Sequence, residues 1–157
     1  MLSTELGALF ERDIARLIQE LQAFPDTAAV WQTAPGVTNS AGTLALHLEG
    51  NLREYIGRQL GQIAYSRQRP IEFSSRDVPQ SELIARLAAV KATIPRVIRA
   101  LSDSQLAANF PEAVLGKPMT TRQFLIHLLA HLSYHLGQVD YLRRVLTGRG
   151  AIEFAGL

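Results

Sequence analysis

The sequence predicts an all-α protein, a four-helix bundle with long crossover loops. Four stretches of about 20 residues carry apolar side chains at helical spacing. No stretch alternates apolar and polar residues as a half-buried strand does, and neither an internal repeat nor a low-complexity segment interrupts the pattern. Amphipathic helices of this kind are stable when their apolar stripes share one core, and two of the connections between the four run to about 15 residues. Connections of that length can cross the bundle or cover a site, so up-down-up-down order is not required. At 157 residues the chain fits a single domain, residues 1–148, with residues 149–157 as a C-terminal tail.

The first helix is expected from Ser3 or Thr4 to Phe24, with Leu6, Phe10, Ile14, Leu17 and Leu21 on its stripe and Pro25-Asp26 as its stop. Residues 31–39 read as a loop around a Pro35-Gly36 turn, with Asn39 and Ser40 as candidate caps and Trp31 as a plug over the core end. The second helix spans about residues 40–60, carries Leu44, His47, Leu48, Asn51, Leu52, Tyr55 and Ile56 on its period, and ends at Gly61. Gly50 and Gly57 inside it each cost about 1 kcal/mol against alanine, which points to close backbone approach by a neighbour. An arginine-rich loop follows, with Asp77 or Ser81 as cap of the third helix. That helix is marked by Leu83, Leu87, Val90, Ile94, Val97 and Leu101, and Pro95 should kink it. Residues 102–106 form a short helical turn, and residues 109–119 a loop with three turn-formers. The fourth helix opens on a capping box from Thr120 to Gln123 and runs through Phe124, Leu128, Leu132, Leu136, Val139, Leu142 and Leu146. Arg143 and Arg144 in its last turn complement the helix dipole, and Gly148 is its left-handed stop.

Composition narrows the function classes. Hydrophobic residues at 47% and charged residues at 19% describe a globular chain. A net charge of +2, with no basic stripe interleaved by aromatic residues, gives no nucleic-acid footprint. Cysteine is absent, which excludes disulfides, thiolate catalysis by the chain itself and Cys-ligated metal sites. No apolar run approaches the roughly 18 residues of a membrane span and no signal peptide is visible, so the expectation is a cytoplasmic protein with no membrane partner.

The chemistry sits in the histidines. His127, His131 and His135 recur every fourth residue along one side of the fourth helix. The remaining histidine, His47, lies where a facing helix would meet that pair. Three neutral imidazoles from two helices, His47, His131 and His135, can bind zinc, nickel, iron or another divalent metal and leave positions for water or substrate. His127 lies about 80° round the helix from His135, which suits an outer hydrogen-bonding partner or a core residue. The pattern equally fits hydrogen-bonded core histidines, and HxxxH alone does not choose between the two.

Other side chains admit paired readings. Arg67 and Arg69 can clamp a carboxylate of substrate or cofactor, or pair with Glu72 or Asp77. Asn51, one turn after His47, can orient a bound water or cap a buried carbonyl. Tyr134 and Tyr141 can offer hydroxyls near a metal, or pack in the core or a dimer interface. Gln138 follows the last histidine closely enough to hydrogen-bond it. Ser133 has no base at a recognisable spacing, so a serine triad fits poorly.

Three ordered motifs, GTLALHLEGNLREYIGRQLG, Tyr65-x-Arg67-x-Arg69-x-x-Glu72-Phe73 and HLLAHLSYHLGQVDYLRRVLTG, resemble the DinB superfamily of DinB/YfiT-like metalloproteins over about residues 37–148. The resemblance implies a four-helix bundle, a metal held by one histidine of the second helix and the HxxxH of the fourth, and a homodimer. Matched residue by residue, the ligands fall at His47, His131 and His135. Related sequences often carry a further histidine where this chain has Glu54, a carboxylate that is either an outer acceptor or a solvated side chain.

The function that follows from the resemblance is metal-dependent chemistry on a small molecule. Characterised relatives imply transfer or isomerisation with a low-molecular-weight thiol such as bacillithiol or mycothiol, the metal lowering the thiol pKa and the loop arginines holding its carboxylates. A metal-dependent hydrolase acting through water is the neighbouring alternative. A non-catalytic metal- or ligand-binding stress-response dimer is the alternative from another class.

Overall fold

The computed structural model describes residues 1–114 and 116–153. Residues 154–157 of the expected tail lie outside the described residues. Seven α-helices form in chain order: α1 (Leu2–Gln22), α2 (Thr27–Trp31), α3 (Ala41–Leu52), α4 (Arg69–Ser74), α5 (Gln80–Arg99), α6 (Asp103–Ala107) and α7 (Thr121–Thr147). Among the described residues there is no strand, only the isolated bridges Asn109–Thr120 and Val114–Lys117. No helix is long and apolar enough to cross a membrane, among the described residues.

Where capping chemistry was legible, the helix ends fall as expected. Ser40 accepts from the Thr43 amide to open α3, and the capping box at Thr120 opens α7; a second capping box, at Ser102, not among the expectations, opens α6. Gly148 closes α7 in the left-handed conformation, φ 66°. Elsewhere the local chemistry was misread. Asp26 does not merely follow a stop; its carboxylate accepts from the Ala29 amide and starts α2. Neither Asp77 nor Ser81 caps α5, which starts at Gln80 behind Pro79 with no side-chain cap. The arginine-rich loop contains α4, with a proline in its first turn.

The second predicted helix is α3 continued by a π-helical turn, Arg53–Arg58. Its wider turns show in the Gly61 amide donating to the Ile56 carbonyl at 2.9 Å. Gly57 meets no close neighbour: a Cβ there would lie 3.6 Å from Ile94 Cδ1, an ordinary contact. Gly50 is the crowded position, and the group against it is a side chain (described below).

α1 packs on α5 and α7, and α3 packs on the same two, the pairing expected of a four-helix bundle. Cross-contacts give the directions. Asp13 meets Ser133 and Glu20 meets Arg143, so α1 and α7 run parallel. His47 meets His131 while Tyr55 meets Phe124, so α3 runs antiparallel to α7. Gln80 reaches Leu21 and Arg99 reaches Glu11, so α5 runs against α1 and alongside α3. The order is up-down-down-up. The connection of residues 59–79 therefore runs the length of the bundle, and it carries α4 along α3.

The core joins Phe10, Ile14, Leu17 and Leu21 to Leu48, Leu52, Leu87, Ile94 and Leu132, all nearly inaccessible. Every residue of α3 is buried. Trp31 is half-buried, lies against Gly42 and donates its indole N–H to the Val78 carbonyl at 3.0 Å, pinning α2 between α3 and the crossover. α5 continues through Pro95 without a break.

Arg143 corrects the expectation of a dipole-complementing surface cation. It is 1% exposed, pairs with the fully buried Glu20, and donates to the Gly150 carbonyl at 3.0 Å. Burial raises the Glu20 carboxyl above its ordinary value despite the lowering by Arg143. Removing one partner strands the other charge, so Arg143→Ala is expected to cost about 3–5 kcal/mol, while Glu20→Leu with Arg143→Met restores most of it. Urea unfolding of the two variants checks this.

Candidate metal centre

Antiparallel pairing of α3 and α7 brings His47 opposite the turn that carries His131 and His135. The His131 Nε2 atom lies 3.2 Å from His47 Nε2 and 3.1 Å from His135 Nε2. One ring nitrogen from each residue lies within 4.8 Å of the others. The three rings meet edge to face, with interplanar angles of 78°, 89° and 89°.

In His47 and His135 the other ring nitrogen is held from behind. His47 Nδ1 donates to Glu72 Oε2 at 3.1 Å, because a carboxylate can only accept. Arg67 clamps that carboxylate with Nε on Oε1 at 2.7 Å and Nη2 on Oε2 at 2.9 Å. Arg67 Nη2 also lies 3.4 Å from His47 Nδ1, but two donors cannot bond each other, and Glu72 takes both protons. Glu72 is 6% exposed and sits on the α3 backbone at Gly50, where a Cβ would come within 2.1 Å of Oε1. Glycine is needed there so that the carboxylate can reach His47. On α7, His135 Nδ1 donates to Gln138 Oε1 at 2.6 Å.

Two rings thus carry their protons on Nδ1 and turn bare Nε2 lone pairs toward His131. His131 Nε2 has at most one proton to share between them, and its buried Nδ1 has no partner among the described residues. Such a cluster of lone pairs is unfavourable alone and suited to a cation. Nitrogens about 2.0–2.1 Å from a tetrahedral ion stand about 3.3 Å apart, close to the observed separations. The residues fit, and His47, His131 and His135 could hold a metal ion.

Electrostatics favour the neutral imidazole at His131 and His135. Burial, then positive charge on His135 and His47, holds the His131 pKa down to about 4 against an ordinary 6.5. Burial likewise lowers His135, against the opposing hydrogen bond to Gln138. Burial alone would raise the Glu72 carboxyl, yet hydrogen bonds from Arg67 and His47 outweigh it and hold the group below its usual range.

The remaining candidates are scattered. Arg67 pairs with Glu72 as the structural reading had it, whereas Asp77 takes no part. Arg69 is exposed and stacks 5.0 Å over the Phe73 ring, which itself lies 5.0 Å from the His47 ring. Glu54 pairs with Arg58 at 2.9 Å and reaches no histidine. His127 is exposed and stacked on Phe124, neither core nor a partner of the triad. Asn51 is buried one turn from His47, its Oδ1 without a partner among the described residues. Tyr134 is 65% exposed, its ring 5.3 Å from His135, and exposed Tyr141 stacks under Arg144. Ser133 donates to Asp13 at 2.6 Å, a tie between helices. Glu72 as the acceptor for His47 is the residue the sequence reading missed. Pro70 in a first turn with Glu72 behind it was the available signal of a helix.

A helical bundle presenting three convergent imidazoles from two antiparallel helices defines a class of proteins able to hold a metal ion between those helices. The family is then plain: the DinB superfamily model matches residues 9–139, and the chain belongs to that superfamily. The fold is similar to that of a DinB-like protein from Bacillus cereus, with 16% identity over 94% of this chain and 92% of that one and a TM-score of 0.68. It is also similar to a conserved protein from Enterococcus faecalis, with 19% identity over 94% and 96% of the two chains and a TM-score of 0.70. None of the curated proteins compared with the chain matches it.

Two outcomes are expected. Glu72→Ala should weaken zinc binding about 10- to 100-fold, and Glu72→Gln, which keeps an acceptor oxygen, should weaken it less; chelator competition measures both. The folded His131 pKa lies below the unfolded value, so the folded metal-free chain binds fewer protons. Its stability should hold above pH 6.5 and decline as pH falls through the window from 6.5 to about 4. His131→Gln should flatten that decline in urea midpoints measured against pH.

Proposed function

We propose that the protein is a metal-dependent enzyme acting on a small molecule, of the thiol S-transferase or isomerase type. The observation that supports it is the Nε2 cluster of His47, His131 and His135, with two rings oriented by Glu72 and Gln138. Three protein ligands with a further position open is the composition of catalytic rather than structural sites. A bound zinc, nickel or iron ion supplies Lewis acidity that lowers the pKa of an added thiol or of water.

The chain's own part is to bind and orient. Glu72 draws on the His47 N–H and so raises the basicity of the opposite nitrogen, while Gln138 fixes the His135 ring. With no cysteine in the chain, the thiol comes from a low-molecular-weight cofactor. Arg58, Arg67 and Arg69 line a cleft of about 500 Å³ with Glu54, Glu112, Tyr55 and Tyr65, and Arg69 is the one of the three with no carboxylate partner among the described residues. Its guanidinium suits a cofactor carboxylate. The homodimer would use the exposed Ile126 and Tyr134 of α7.

Metal analysis of the purified protein, followed by turnover of a thiol and ester panel with and without chelator, tests this reading. His47→Ala and His131→Ala are expected to lose metal affinity beyond the roughly 100-fold of an outer partner. Thiol adduct formation should cease with chelator. Ester hydrolysis alone would reassign the chemistry to water, and tight metal binding without turnover across the panel would replace the enzyme by a binding protein.

A further inference from the structure

We infer that the cavity between residues 34–39 and the second half of α7 binds the uncharged, largely apolar body of a small molecule whose polar head faces the histidine triad. The inference rests on the small-molecule reading above and names the substrate class. The cavity measures about 410 Å³, the size of a small ligand's site. Leu44 and Leu142 give it a buried apolar floor, with Val37 and Val145 at the rim.

Its position follows from the two helices that carry the triad. Leu44 precedes His47 by one turn on α3, and Gln138 follows His135 by one turn on α7. Because those helices are antiparallel, both residues are displaced toward the same end of the bundle, about 5 Å from the triad. Gln138 belongs to both places: it lines the cavity and accepts from His135 Nδ1. No side chain lining the cavity is charged, in contrast to the arginine-lined cleft beside α4. Burying a charge there would leave it unpaired, so neutral bodies are selected.

Benzyl alcohol and cyclohexanol are suitable probes, titrated into the full chain in metal-free and cobalt-loaded forms and followed by methyl NMR. Expected are saturable shifts at Val37, Leu44, Leu142 and Val145 in the metal-free chain, with a Kd on the order of 1 mM for so few heavy atoms. Benzylammonium and benzoate should bind the metal-free chain at least tenfold more weakly. Thr38→Trp and Val145→Trp fill the cavity from opposite walls; either should weaken the neutral probes at least tenfold while cobalt affinity is unchanged. Cobalt should broaden the probe protons through proximity. Shifts absent from these methyls, or shifts that follow protein concentration instead of probe, overturn the cavity assignment, the second case giving the surface to another copy of the chain. Failure of cobalt to bind, with metal-free shifts intact, overturns the metal reading and leaves the cavity standing.

Discussion

The complete burial of α3 is the constraint on which the rest depends. A helix enclosed on all sides has its rotation and register set by packing, because a slip of one residue would turn its leucines out of their contacts and cost several kcal/mol. His47 rides on that helix, so its Nε2 meets the α7 pair at a separation decided by the core rather than by the site. The glycine at position 50 belongs to the same constraint, since it lets a carboxylate from another segment lie directly against the helix backbone.

Around this axis the charges are distributed in an ordered way. The deepest ion pair, Glu20 with Arg143, lies between α1 and α7, while the Arg67–Glu72 pair lies behind His47. Both place arginine with a carboxylate in a setting where neither alone is tolerable. Only the second pair touches a histidine, so only it affects the electron density of a ring able to hold a metal ion. Burial holds the His131 and His135 imidazoles below their ordinary pKa, toward the neutral form that ligation requires.

Much of this was legible in the residues because the signals were local. The i, i+4 spacing of His131 and His135, the capping chemistry of Ser40 and Thr120, and the apolar stripes all act within one or two helical turns, and they predicted the long helices and the histidine pair on α7; the place of His47 opposite that pair rested on the family resemblance. What escaped had a non-local cause. Arg143 looks like a last-turn cation until Glu20 of α1 is placed opposite it. Glu72 looks like an ordinary loop carboxylate until the crossover lays α4 on α3. His127 is set apart from the other two by its rotation on the helix, but that it faces solvent beside Phe124 shows only once α7 is packed. Six-residue helices such as α4 carry too few periods for hydrophobic patterning to reveal them.

The long crossover has an evolutionary corollary. Its attachment points are far apart along the bundle, and the group it delivers touches a histidine only from behind. Insertions or substitutions within it can therefore retune ligand basicity and the walls of the neighbouring cleft while the helices bearing the imidazoles stay invariant. The architecture thus separates a strap that can vary from the helices that fix the imidazoles.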